Sequence, residues 1–179
     1  MTDTVDAVLR EATRRFAAKD AVVDTDERVS YRDLDGQTLE LADALLDAGV
    51  NKGTRVGLLM PNGVQWVRIA LALSRIGAVL VPLSTLYTPL ELTAALRTAS
   101  VQHLIAVDEF RGRRYLDTVP QTGVLPALQR IHRAAALTPT AKPSTRRVAE
   151  ALARAVRPAD PLAILFTSGS SGPPKGVCH

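Results

Sequence analysis

The chain predicts an α/β fold: a parallel βαβαβ unit with covering helices, occupying residues 30 to 107. Three observations carry this. Helix-start signals recur at Ser30, Asn62 and Thr88. The stretches between the helices are short, uniformly apolar runs rather than alternating ones, which suits strands buried on both faces. The spacing between those runs leaves room for a helical crossover and none for a tight turn. Such crossovers are expected to be right-handed.

Taken in order, "TVDAVLREATRRFAAK" reads as a helix, and "AVVD" with "RVSY" around "TDE" reads as a hairpin. Ser30 and Asp33 make a capping-box pattern, after which Leu34, Leu41, Leu45 and Ala48 share one helical face. Gly49 can take the left-handed position that ends the helix. "RVGLLM" predicts a strand near 55–60, stopped by Pro61 and Asn62. Asn62 with Gln65 predicts the cap of a helix presenting Trp66, Ile69, Ala70 and Leu73 and ending near Gly77. "AVLVP" is the next strand, at 78–82. Thr88, Pro89 and Glu91 agree on a third helix start, and "HLIAV" closes the unit as a strand near 102–107. The predicted core is Leu41, Leu45, Val56, Leu58, Ile69, Leu73, Val79, Leu80, Leu96, Leu104 and Ile105.

The organisation expected is an N-terminal α/β subdomain over 1–110, an Arg/Ala-rich connecting segment over 111–160, and a strand with a glycine-serine loop over 161–179. In the connecting segment only "TRRVAEALARAV" reads as a helix, with Val148, Leu152 and Ala155 together. The rest reads as loop. Charge is divided: residues 1–50 hold six Arg/Lys against twelve Asp/Glu, whereas 111–157 hold ten against Asp117 and Glu150. At 179 residues and 46% hydrophobic content the chain can bury a core, and it is too apolar for a disordered tail. The single Cys178 excludes a disulfide framework or a Cys-rich zinc site. His103, His132 and His179 have no metal-ligand spacing, so no metal site is expected of them. His103 reads as a strand residue facing a helix or solvent. No leader pattern and no membrane-length apolar run is visible, so a cytoplasmic location is expected.

The chemistry concentrates in "LAILFTSGSSGPPKGVCH". Gly169 and Gly172 free the backbone to turn amide N–H groups toward an anion. Thr167, Ser168, Ser170 and Ser171 add hydroxyl donors of little bulk. Pro173 and Pro174 stiffen the exit, Lys175 supplies a mobile positive charge, and Gly176 lets the chain turn beside it. A nucleotide P-loop is excluded, because here the lysine precedes a glycine and two prolines interrupt; a dinucleotide fingerprint lacks its Gly-x-Gly pair. Gly-Ser-Ser-Gly is also a linker composition, but a linker would not follow "LAILF" directly or continue as Pro-Pro-Lys-Gly-Val. Cys178 and His179 read as exposed terminal residues.

"FTSGSSGPPKGV" resembles the signature loop of the adenylate-forming, or AMP-binding, superfamily of acyl-CoA synthetases, luciferases and nonribosomal adenylation domains. The stretch from "ERVSYRDLDG" to "TASVQHLIA" is similar to that superfamily's N-terminal region in order and spacing. The loop's ending leans toward fatty-acyl and carboxylic-acid CoA ligases. The resemblance implies that Thr167, Ser168, Gly169, Ser170, Ser171, Gly172, Lys175 and Gly176 hold the β- and γ-phosphates of ATP. It implies that Lys175 stabilises charge on the departing pyrophosphate. It also implies Mg2+ with the nucleotide and CoA as acyl acceptor, though this fragment by itself is expected to bind none of these cofactors. Members of the superfamily are much longer, so the fold expected is the N-terminal part of their large domain, truncated, and inactive as an isolated chain. Two alternatives stand beside it: half of a split ligase needing a complementing chain, and a basic module using 111–157 on nucleic acid or an anionic membrane. Against the module, Tyr115 is that stretch's one aromatic, so neither nucleic acid nor a membrane is expected as partner. With its family neighbours absent, Leu162–Phe166 is expected to be an unpaired apolar edge prone to self-association, and the loop after it mobile.

Overall fold

The computed structural model describes residues 4–117, 119, 124–137, 143–167 and 175–179. Its contacts form two units, each threaded from separate segments: Met1–Lys52, Asn62–Ala78 and Thr138–Asp160 in the first, Gly53–Pro61, Val79–Leu137 and Pro161–His179 in the second.

The first unit is helical. Helix α1 (Val5–Phe16) starts at Thr4, whose hydroxyl accepts from the Ala7 amide. Strands β1 (Asp20–Val23) and β2 (Arg28–Ser30) form the expected antiparallel hairpin. Ser30 caps α2 (Tyr31–Asp47) by accepting from the Asp33 amide, as its sequence predicts. Helix α3 (Val64–Arg75) begins differently from expectation. Its N-cap is Gly63, with no side-chain cap from Asn62. The Val64 amide instead donates to the carboxylate of Asp24, 2.8 Å away, in the hairpin turn. That carboxylate also accepts the Asp26 and Glu27 amides, so one side chain closes the turn and caps a distant helix. Gly49 and Gly77 end α2 and α3 at φ 91° and 69°, a region open mainly to glycine.

Helix α5 (Pro143–Ala155) completes this unit against α2. Its buried face corrects the sequence reading: Ala149 and Ala153 are inside, while Val148 is 50% exposed. Two alanines let the helix axes approach closely, an option that a search for large apolar residues overlooks. Lys52 holds the end of α5, its ammonium meeting the Ala155 carbonyl at 3.1 Å and the Asp160 carboxylate at 2.6 Å.

The second unit is built on a parallel four-stranded sheet. Strand β3 (Arg55–Leu59) lies between β4 (Val79–Pro82) and β5 (His103–Ala106), parallel to both. Helix α4 (Pro89–Thr98) has a full capping box between Thr88 and Glu91 with Pro89 in its first turn, as its sequence predicts. Leu92, Ala95 and Leu96 of α4 pack with Leu59, Val81, Leu104, Ala106 and Tyr115. Every residue of the predicted core is buried except Leu80, which is half-buried.

The stretch after Phe110 is more structured than its sequence predicts. Strands β6 (Glu109–Phe110) and β7 (Arg113–Arg114) form a two-residue hairpin, with Arg111 and Gly112 both at positive φ. That is the turn whose twist matches a hairpin's. Strand β8 (Arg130–Arg133) adds to the sheet parallel to β5, where the sequence reads as loop. Among the described residues only β5 flanks it, so its arginines remain in water and guard the sheet edge.

Candidate functional site

The last described strands are β9 (Ile164–Thr167) and β10 (Lys175–Cys178), and they pair antiparallel. This corrects the expectation of an unpaired edge at Leu162–Phe166. The neighbour comes from just beyond the loop, with Thr167 opposite Lys175 and Gly176 opposite Phe166. The pairing continues to His179, whose carbonyl accepts the Leu162 and Ala163 amides at 2.6 and 3.2 Å. On its other flank the same stretch meets β4, the Leu80 amide donating to the Leu162 carbonyl at 3.0 Å. Ile164 and Phe166 face the apolar cluster of the second unit, and Leu165 faces out.

Thr167 and Lys175 are therefore brought together, both exposed, as the two ends of a closed span. Ser168, Gly169, Ser170, Ser171 and Gly172, with Pro173 and Pro174, lie outside the described residues. Gly176 has a reason other than turning. A Cβ there would stand 3.0 Å from Ile164 Cγ2, a tight contact that the Ile164 side chain would have to shift to relieve. Cys178 is exposed and unpaired as a thiol.

Two further clusters were not legible as sites. Thr85, Leu86, Phe110, Arg111, Arg113 and Tyr115 line a cleft of about 230 Å3. Arg111 lies over the Phe110 ring and Arg113 over that of Tyr115, at 5.2 and 5.3 Å from the ring centres. His103, far from facing solvent, is 3% exposed, with its Nδ1 3.0 Å from Nε2 of His132. Strand alternation alone could not pair it with a histidine on a strand that was not foreseen. Among the described residues no group of three His, Cys, Asp or Glu side chains is placed to hold a metal ion, and no helix is long and apolar enough to cross a membrane.

The pattern of the AMP-binding enzyme family matches residues 9–179. The chain is similar, at 33% identity, to the 3-[(3aS,4S,7aS)-7a-methyl-1,5-dioxo-octahydro-1H-inden-4-yl]propanoyl:CoA ligase of Rhodococcus jostii (strain RHA1), over 97% of the chain and 37% of that ligase. It is 28% identical to the mitochondrial medium-chain acyl-CoA ligase ACSF2 of Macaca fascicularis, over 99% of the chain and 33% of the relative. Its fold matches the crystal structure of the N-terminal domain of FACL13 from Mycobacterium tuberculosis with a TM-score of 0.79 at 27% identity, covering 99% of the chain and 44% of that domain. The chain thus spans little more than a third of the curated relatives it matches. With the loop motif set between paired strands beside a parallel sheet, and a match running almost the whole length, this chain belongs to the AMP-binding enzyme family.

Proposed function

We propose that the chain supplies the polyphosphate-binding part of an ATP-dependent, AMP-forming acyl-CoA ligase acting on a carboxylic or fatty acid. The observation that supports this reading most is the β9–β10 hairpin, which sets the Thr167 hydroxyl and the Lys175 ammonium at the two ends of one glycine- and serine-rich span. Residues 162–179 contain no Asp or Glu, and such a donor-rich stretch suits a polyanion. In the reaction, a carboxylate oxygen bonds to the α-phosphorus of ATP and the bond to the bridging oxygen breaks, releasing pyrophosphate. A thiol then displaces AMP from the acyl carbon, giving a thioester. Lys175 is assigned to the β- and γ-phosphate oxygens, where negative charge accumulates as pyrophosphate departs. Thr167, Ser168, Gly169, Ser170, Ser171, Gly172 and Gly176 are assigned to orienting the same group. Magnesium accompanies the nucleotide, and no described residue is assigned to it. The acid and CoA sites are likewise assigned to no residue of this chain.

The test is a titration of the full chain with MgATP and with inorganic tripolyphosphate, followed through the Lys175 and Gly176 amides by NMR. Lys175→Ala is expected to weaken both ligands about tenfold, the worth of one charge-assisted contact, and Cys178→Ser to leave them unchanged. Equal binding by wild type and Lys175→Ala would remove the hairpin from the phosphate site.

A further inference from the structure

His103 of β5 and His132 of β8 have no part in phosphate binding. The register sets Arg130 opposite His103 and His132 opposite Ile105, so the two histidines are diagonal neighbours on one face of the sheet. Their rings are 14° from parallel with centres 5.2 Å apart, while Nδ1 of His103 and Nε2 of His132 are 3.0 Å apart. The centre-to-centre distance is close to its upper limit, the nitrogen separation plus the two ring radii. The rings therefore lie end to end, joined by one N–H···N bond near their common plane.

Only one proton fits between those nitrogens: one must donate and the other must keep its lone pair. The Gln129 side chain is hydrogen-bonded to His103 in the sense that favours a protonated ring. Whichever ring donates, a first added proton goes to the outer nitrogen of the donating ring and keeps the bond. A second must go to the accepting nitrogen inside the bond, and two N–H groups then face each other. The charge pressing on both rings is the Arg130 guanidinium, of like sign. Val56 on β3, opposite His103, is apolar, and the Asp108 carboxylate is turned to Arg133 at 3.5 Å. Burial first, then Arg130, hold His103 below the usual imidazole range; burial, then His103 and Arg130, do the same for His132.

We infer that the His103–His132 bond is a proton-operated latch, holding β8 on the sheet at neutral pH and releasing it in acid. Within β8 little else is buried: Arg130 and Arg133 are exposed and Ile131 is 39% exposed, although Leu128 and Ala134 on either side of the strand are buried. The sign follows from proton counting. A detached β8 leaves two histidines that titrate near the ordinary value of about 6.5, whereas the latched pair binds fewer protons. The latch contributes fully above that value and is lost as pH falls through the lower values of the latched pair.

Amide hydrogen exchange on the full chain, corrected for the intrinsic chemical rate, tests this. Between about pH 7.5 and about pH 5, protection of Ile131, His132 and Arg133 should fall about tenfold or more while that of β3 holds. The His103→Gln/His132→Gln double variant should show no such fall. Unchanged protection in the wild type, or the same fall in a folded double variant, overturns the latch. Should the double variant not fold, 15N spectra of the wild-type imidazoles decide. Protection must be lost together with protonation of the accepting nitrogen inside the His103–His132 bond, and loss without it also overturns the proposal.

Discussion

Arg75 carries its charge at 1% exposure, inside the first unit. Its guanidinium meets the Asp6 carboxylate at 2.8 Å, an ion pair without good hydrogen-bond direction. It also meets the carboxylate and carbonyl oxygens of Asp35. The three residues come from α3, α1 and α2, so one side chain ties three helices. Removing one member of a buried set strands the others without water. Asp6→Ala is therefore expected to cost roughly 3 kcal/mol or more in urea unfolding. Arg10 holds the same carboxylate at 2.7 Å, but from a position 41% exposed, and Arg10→Ala should cost under about 1 kcal/mol. Equal losses would show that burial is not what sets the difference. None of this was legible in the sequence, where the acidic residues of 1–50 show only as a local excess of negative charge. Contact between residues so far apart in the chain leaves no local trace.

At the level of elements, legibility followed how much of a signal is local. Helix α4 carries its capping box within four residues, and β3, β4 and β5 are apolar on both faces, so each could be read from its own segment. Strand β8 could not, because "RIHR" is a strand only by virtue of β5 beside it. The α3 cap came from Asp24, on another element altogether. The loop proposed to hold phosphate was legible as chemistry, whereas the β9–β10 pairing at its two ends was not, since "KGVC" has no strand pattern of its own. Leu58 sits fully buried in β3, with a strand on each side. Leu58→Ala should cost about 2–5 kcal/mol by chemical denaturation, because the flanking strands cannot collapse onto the void. A loss below about 0.5 kcal/mol would mean that this position is not in the core.

At the scale of the molecule, the proposed ligase reaction asks for an acid held in line with an α-phosphate, and no residue of this chain is assigned to that alignment. The 179 residues alone are expected to show no acid-dependent ATP–pyrophosphate exchange above a Lys175→Ala control. Exchange above that control would mean that the chain aligns both reactants itself. The threading of the two units has a consequence during synthesis. The polypeptide crosses from one unit to the other five times, the last crossing falling between Asp160 and Pro161. A ribosome adding about 5–20 residues per second must therefore pass Asp160 before the first unit has the last of these segments. Until Lys175–Cys178 emerge, the apolar stretch Ile164–Phe166 waits without its hairpin partner. Until that partner is made, this apolar stretch of the nascent chain is open to chaperones, and to its own kind.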